Sequence, residues 1–271
     1  MKNAYQIESL LDERYRTILN FDKIEIDNPD PRHYRRLNYV DRLRLIVSLA
    51  KKKFPLSSFA KIGDFACAQS NIGLTLAELG YKVYGFDVNP AFIEYSKMKY
   101  EKGDIEWFCS NIDMLEFPKE SLDLAIAGEL IEHCAYPEEI VQQILSYVRP
   151  GGVLIVTTPN GSRLKTNLPT FRQVSRKEQR KIFEGRQFGP AGEDHLFLFR
   201  IDEVQDILPP NAKIIEMGYL GGALLVNQYS YPWLRLFSVS AMETMIRFAA
   251  ALPVLNSKTF HNIYAVIQKL S

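Results

Sequence analysis

The sequence predicts an α/β fold: a doubly wound, mostly parallel seven-stranded sheet with N-terminal helices and a late helical insertion. Three observations predict it. Short apolar runs rich in Val, Ile and Phe alternate with amphipathic stretches of about ten residues or more, the pattern of βαβ units. Those stretches often open on Pro and close on Gly, residues favoured at helix starts and just past helix ends. Right-handed crossovers then place helices on both faces of one sheet.

The elements follow in order. Residues 8–19, ESLLDERYRTIL, read as an amphipathic helix, and DNPDPRH after it reads as a break. Residues 37–53 form a second helix, because Val40, Leu43, Ile46, Val47 and Ala50 recur at helical spacing. FAKIGDFA is a first strand, and NIGLTLAELG a helix closed by Gly80. YKVYGFD is a second strand and PAFIEYSKMKYEKG a helix; DIEWFC and SLDLAIAG are the third and fourth strands. PEEIVQQILSYVRPGG is a helix with a Pro-Gly-Gly stop, and VLIVTTP is the fifth strand. Residues 160–198 are polar and loop-rich, and IDEVQDIL is a short helix. AKIIEMGYL and HNIYAVIQKL complete the sheet, with residues 233–252 between them as one amphipathic helix. No repeat or internal boundary interrupts the chain. The expected organisation is a helical cap of residues 1–54, forming one structural unit with a domain of residues 55–271.

Composition narrows the function. The chain has 271 residues, 33 basic against 32 acidic, for a formal charge of +1. No long-range field favours a polyanion, which argues against nucleic acid as a partner. Three cysteines, an odd number with no C-x-x-C pair, point to a reducing cytoplasmic compartment and no structural metal. Cys67, Cys109 and Cys134 read as small buried residues. The opening residues lack the apolar core of a signal peptide, and no run is apolar enough for a stable membrane span.

In a doubly wound sheet, ligands bind beyond the carboxyl ends of the strands, beside the first one. Weight therefore falls on residues 64–73, DFACAQSNIG. Small residues there let the backbone approach a ligand, and the following helix offers free N–H groups; a tight turn without a ligand is the alternative. Asp87 follows Asp64 by 23 residues, at the end of the second strand. A carboxylate there is placed to accept hydrogen bonds from ribose hydroxyls, unless it serves as a helix cap, a task open also to Asn89.

IGDFACAQSNIG, YGFDVNP, CSNIDMLEFP, SLDLAIAGELIEHCAYP and VRPGGVLIVTTPN, in this order, resemble the motif series of class I S-adenosylmethionine-dependent methyltransferases. The likeness covers residues 55–160. It is closest to ubiquinone-biosynthesis-like O-methyltransferases, where Glu-x-x-Glu-His follows the fourth strand and Thr-Thr-Pro-Asn the fifth. The resemblance implies a Rossmann-like methyltransferase fold and S-adenosyl-L-methionine as cofactor. It sets Asp64 and the turn Ala66, Cys67 and Ala68 against the cofactor's methionine part, with Gly73 one turn further on. It gives the ribose to Asp87 and the adenine to Val88, Asn111 and Ile112. It puts Ala127 and Glu129 on the floor near the sulfonium.

Two departures stand out. The family carries Gly-x-Gly-x-Gly where this chain has Ala66, Ala68 and Ser70, so any left-handed backbone there is strained. Asn111 stands where Asp is common. A dinucleotide oxidoreductase is disfavoured, because the G-x-G-x-x-G fingerprint is absent.

The implied function is a transferase that methylates oxygen on a small molecule, a saccharide or a glycan precursor. Such a reaction gains from a base near neutrality. His133 is the first choice and His195 the second, with Glu129 as a further catalytic candidate. His195 is alternatively a hinge bonded to Glu193 or Asp194. His33 and Tyr34 read as a solvated loop or a substrate contact, and His261 as structural. No metal is expected, although Glu129, Glu132 and His133 could form a site. The helix at 233–252 carries Arg235, Glu243 and Arg247; it reads first as packing or a homodimer contact, and second as a lid over a lipid or aromatic acceptor or a surface that touches membrane. Tyr229, Tyr231, Trp233 and Phe237 would suit a sugar or aromatic acceptor. Two alternatives stay open: a non-catalytic cofactor-binding or protein-interaction module, motivated by the missing glycines, and N-methylation.

Overall fold

The computed structural model describes residues 1–55, 59–163, 167–187, 195–221, 231–234, 236–250 and 257–271. Glu193, Asp194, Tyr229 and Arg235 lie outside the described residues, as do the side chains of Tyr231, Glu243 and Arg247. Seven strands, β1 (Lys61–Phe65), β2 (Lys82–Asp87), β3 (Asp104–Cys109), β4 (Leu122–Gly128), β5 (Val148–Pro159), β6 (Ala212–Leu220) and β7 (Asn262–Lys269), form one sheet. Its order is β3-β2-β1-β4-β5-β7-β6. The first five strands are parallel and β7 runs antiparallel to both neighbours, so the doubly wound, mostly parallel expectation holds. Phe65 pairs with Phe86 on one side and Ala127 on the other. The carboxyl ends of β1, β2 and β4 therefore finish level, at the point where strand order reverses.

The strands are apolar on both faces because both are covered. Ile62, Val83, Leu124, Ile126 and Ile155 pack toward one side, with Ile46, Leu49 and Ala50 of α3 (Tyr34–Lys53) and Leu76 and Ala77 of α4 (Asn71–Glu78). Phe65, Phe86, Ala125, Ala127 and Val156 pack toward the other, with Val141, Ile144 and Leu145 of α6 (Pro137–Tyr147). Leu124 to Ala127 alternate strictly between the two layers, which is the period of a strand.

The N-terminus differs from the predicted helix at 8–19. The chain forms α1 (Ala4–Ile7), two short 3-10 turns (Glu8–Leu10 and Glu13–Tyr15) and α2 (Arg16–Ile24), with Leu11 extended between the turns. The break lets Ala4 and Ile7 join Tyr15, Ile18 and Leu19 in one cluster against Tyr95 of α5 (Pro90–Lys99). Beneath that cluster lies a closed polar knot. Lys99 Nζ is 2.5 Å from Asp22 Oδ2, and each residue is only 1% exposed. Asp22 also accepts from Tyr95 Oη (2.9 Å) and Asn71 Nδ2 (2.8 Å), while Lys99 donates to Asn71 Oδ1. The knot ties α2 to α4 and α5.

The late segment also differs from one continuous helix. It forms α8 (Tyr231–Leu234) and α9 (Val239–Ala250), and Ser238 Oγ accepts from Ala241 N (3.2 Å) where the second helix starts. Met242 is buried, but Trp233, Leu236, Phe237 and Phe248 are exposed. The predicted short helix at 201–208 is a 3-10 helix, Ile201–Ile207. In the loop region, α7 (Lys177–Arg180) brings buried Arg180 onto Glu138, with both guanidinium–carboxylate contacts at 2.7 Å. Of the cysteines, Cys67 and Cys134 are buried as expected, whereas Cys109, at the end of edge strand β3, is exposed. Among the described residues, no helix is long and apolar enough to cross a membrane.

The turn after β1 keeps the backbone of a glycine loop without the glycines. Ala66, Ala68 and Ser70 have φ of 53°, 45° and 51°, left-handed values that crowd a Cβ against the backbone.

Two measurements follow from these packing arguments. Lys99→Ala strands the Asp22 carboxylate in a dry site and should cost about 3–5 kcal/mol in denaturant unfolding; an unchanged midpoint would mean the knot is not buried. Ala66→Gly and Ala68→Gly should each stabilise the fold by up to roughly 1 kcal/mol, strain relief exceeding the gain in unfolded-chain entropy. A fall in Tm for both variants would show that the turn is not left-handed.

Candidate functional site

A cavity of about 490 Å³ opens at the level carboxyl ends of β1, β2 and β4. Ala66 and Ala68 line it from the first turn, Asp87 and Val88 from the end of β2, Asn111 and Ile112 from beyond β3, and Glu129 and His133 from beyond β4. His195 joins them from the loop region. These nine were singled out from sequence, and the fold brings them to one opening.

Asp87 does not cap α5. Asn89 does, accepting from Ala91 N at 2.9 Å. The Asp87 carboxylate instead accepts from Ala68 N and from Asn89 N, each at 2.9 Å. A carboxylate offers about four acceptor positions, so capacity remains on the cavity side. Burial pushes its pKa above the ordinary Asp value, and these backbone N–H bonds oppose the rise. Val88 is 55% exposed although it lies on the cavity wall, an apolar surface open to a flat ring. Asn111 Oδ1 accepts from Asp113 N (3.2 Å) and so caps the short turn Ile112–Met114.

Four residues of the sequence-derived set lie behind the wall rather than on it. Asp64 is buried and accepts from Gly73 N at 3.0 Å. Desolvation raises its pKa to about 7 against that hydrogen bond. Gly73 is needed for close packing: a Cβ there would come within 3.1 Å of Asp64 Oδ2 and 3.2 Å of Ile105 Cδ1. Cys67 is buried with its Sγ accepting from Ser70 Oγ (3.2 Å). Ala127 is fully buried in the α6 layer. These residues shape the turn from within and do not reach the opening.

Beyond β4 the Glu-x-x-Glu-His stretch is held by the two threonines that end β5. Thr157 Oγ1 donates to Glu129 Oε1 and Thr158 Oγ1 to Glu132 Oε2, both at 2.9 Å. Glu129 has φ 55°, accepts from Asn262 Nδ2 (2.7 Å) and lies 3.5 Å from Arg42 Nη1. Glu132 is fully buried, its Oε1 has no hydrogen-bond partner, and desolvation with the neighbouring Glu129 charge drives its pKa well up. Leu196 N donates to Glu132 O (2.9 Å), which pins the loop and sets His195 beside His133. The two rings are 4.8 Å apart at a steep angle. The possible ligand atoms of Glu132, His133 and His195 all lie within 4.8 Å of one another, so among the described residues this trio, and not Glu129 with Glu132 and His133, is the group that could hold a metal.

A second cavity of about 370 Å³ adjoins the first. Glu25, Arg42, Glu129 and His195 line both, and Tyr34, Arg35, Tyr39, Arg163 and His261 line only the second. His261 was read as structural from sequence; the structure puts it on this wall, where burial and the Arg163 charge lower its pKa to about 4. Glu25, Arg42 and Phe21 of the first cavity come from the N-terminal helices and were missed in sequence. The signal for them was weak: an N-terminal piece that must cover something, without a motif to say which side chains do so.

Residues 63–156 match the family model described as a methyltransferase domain. A ubiquinone biosynthesis O-methyltransferase of Rickettsia typhi is 27% identical over 130 residues, covering 47% of this chain and 52% of that protein. The chain spans about half or less of the length of the curated relatives it matches. Among solved structures, the cyclase SpnF superposes with a TM-score of 0.59 at 13% identity, covering 99% of this chain and 96% of that one. The plantazolicin methyltransferase BpumL, in complex with SAH, gives 0.51 at 13% identity, covering 99% and 95%. At such identities the superpositions show the shared fold. Taken with the motif series on the strand ends, the domain match shows that residues 63–156 carry a methyltransferase domain of the class I, S-adenosylmethionine-dependent kind.

Proposed function

We propose that this chain binds S-adenosylmethionine in the first cavity and transfers its methyl group to an oxygen of an acceptor in the second. The observation that carries the reading is the shared wall: Glu129 and His195 face both cavities. The residues present fit the cofactor. Asp87 has acceptor capacity left for ribose hydroxyls, and Val88 leaves an apolar face for the adenine. The turn at Ala66 and Ala68 keeps the backbone course that small residues allow. When bound, the group supplies an activated methyl on a cationic sulfonium.

The rest of the chemistry belongs to the chain. Methyl transfer in line needs positioning above all. Residues 1–54 act as a cap, one unit with residues 55–271: Phe21, Glu25 and Arg42 close the cavity from that side. Glu129, fixed by Thr157 and Asn262, presents a carboxylate suited to a cationic centre. His133, beside Glu132 at 3.9 Å, takes the acceptor's proton, and His195 across from it is placed to assist. Ubiquinone biosynthesis O-methyltransferases among the relatives favour oxygen as the acceptor atom; a small molecule or saccharide fits a cavity of this size.

A second reading is a non-catalytic cofactor-binding module. It is favoured by the strained alanines and by a fold neighbour named as a cyclase. S-adenosylhomocysteine binding without turnover on any acceptor in a labelled-methyl screen would select it.

Asp87→Ala should weaken S-adenosylhomocysteine binding at least about tenfold in calorimetry, because hydrogen bonds to a charged group are lost; equal affinity would move the ribose elsewhere. His133→Ala should lower kcat by about 10²–10⁴, the usual contribution of a positioned base, while S-adenosylhomocysteine affinity stays near wild type. Unchanged turnover in that variant would remove His133 from the mechanism.

A further inference from the structure

The second cavity has a charge pattern that its neighbour lacks. Three guanidinium groups line it, from Arg35, Arg42 and Arg163, against two carboxylates, Glu25 and Glu129. Arg42 is matched, at 3.5 Å from Glu129. Arg35 is exposed, and its Nε donates to Tyr34 Oη at 3.3 Å. Arg163 differs from both.

The backbone presents Arg163 deliberately. Asn160, the last residue of the Thr-Thr-Pro-Asn stretch, accepts from Ser162 N at 2.9 Å through its side chain and from Arg163 N at 3.3 Å through its carbonyl. Its own Nδ2 is anchored on Ser257 O and Phe260 O, and Gly161 N donates to Phe199 O at 2.7 Å. The Arg163 side chain is then part-buried, and its Nη1 lies 3.0 Å from His261 Nδ1. That histidine is held neutral near pH 7, so it accepts a hydrogen bond and neutralises nothing. Among the described residues, no carboxylate lies within ion-pair distance of Arg163. Burial disfavours its charge, and the Glu129 charge offsets this only in part. A desolvated guanidinium with most of its five donors uncommitted suits a planar or tetrahedral oxyanion.

We infer that the second cavity is a recognition site for an acceptor bearing an oxyanion, a carboxylate or phosphate, gripped by Arg163 with Arg35 and Tyr34 at the end away from the cofactor cavity. This rests on the methyltransferase reading for the word acceptor, and on the cavity alone for the anion. Arg35, Tyr34 and Arg163 do not reach the first cavity, whereas Glu129 and His195 line both. An acceptor held by its anion at the arginine end therefore directs its opposite end to the shared wall. The reacting hydroxyl then meets His195, on the wall that both cavities share.

The test uses the full chain, with and without saturating S-adenosylhomocysteine, and three probes of similar size: benzoate, phenyl phosphate and benzyl alcohol. Ligand-detected NMR titration should show at least one anion binding about ten- to a hundredfold more tightly than the neutral alcohol. Whichever anion wins distinguishes carboxylate from phosphate recognition. Arg163→Gln should erase that preference and Arg163→Lys should restore part of it, with S-adenosylhomocysteine affinity unchanged in both. The Lys variant keeps the proposal testable should Gln disturb the loop. Equal binding of all three probes, or an anion preference that survives Arg163→Gln, overturns the inference. Absence of S-adenosylhomocysteine binding would instead overturn the methyltransferase reading, and the anion preference of the unliganded chain would still decide this one.

Discussion

Two buried carboxylates hold the molecule's first turn in a shape its side chains resist. Asp64 accepts from Gly73 N, at the start of α4, and Asp87 accepts from Ala68 N in the middle of the turn. Between them the backbone passes through three left-handed residues, none of them glycine. Each such residue opposes the turn by about 1–2 kcal/mol, so the conformation persists only because the two carboxyl acceptors and the flanking strand and helix over-determine it. If that turn relaxed, α4 would shift against β1, and the opening between β1 and β4 would lose its rim.

The same logic recurs one strand further on. Glu129 is left-handed as well, and its carboxylate is held from three sides by Thr157, Asn262 and Arg42. Thr157 and Thr158 are consecutive and reach the two glutamates of the Glu-x-x-Glu-His stretch separately. Two short motifs that read as unrelated in the chain are thus halves of one hydrogen-bonded unit. Asn160 extends it, since the residue that ends the second motif also builds the turn presenting Arg163.

The N-terminal segment is bound to the domain by a polar contact set inside an apolar one. Asp22 and Lys99 would be costly to bury alone, and Asn71 and Tyr95 complete their hydrogen bonding. Asn71 opens α4, next to the strained turn. The N-terminal segment is therefore fastened where the first cavity begins, and Phe21 and Glu25 of that segment end on the cavity's wall.

Much of the architecture was legible in the chain itself. Parallel strands buried on both faces leave continuous apolar runs, and Gly80 follows the end of α4 with positive φ, so the five parallel strands and the helices α4, α5 and α6 between them followed from residue types alone. Asp87, Val88 and His133 could be placed near one opening because strand ends are predictable once strands are. Tertiary structure decided what local pattern cannot express. It broke the N-terminal helix so that Ile7 and Tyr15 could share a cluster, and it turned Asp64, Cys67 and Ala127 away from the opening. It also drew Arg42, Arg163 and His261 from three distant segments onto one wall. The physical reason is range: periodicity and capping act over a few residues, whereas cavities and charge clusters arise from contacts between residues far apart in the chain, as with Lys99 and Asp22, 77 positions apart, or Arg163 and His261, 98 apart.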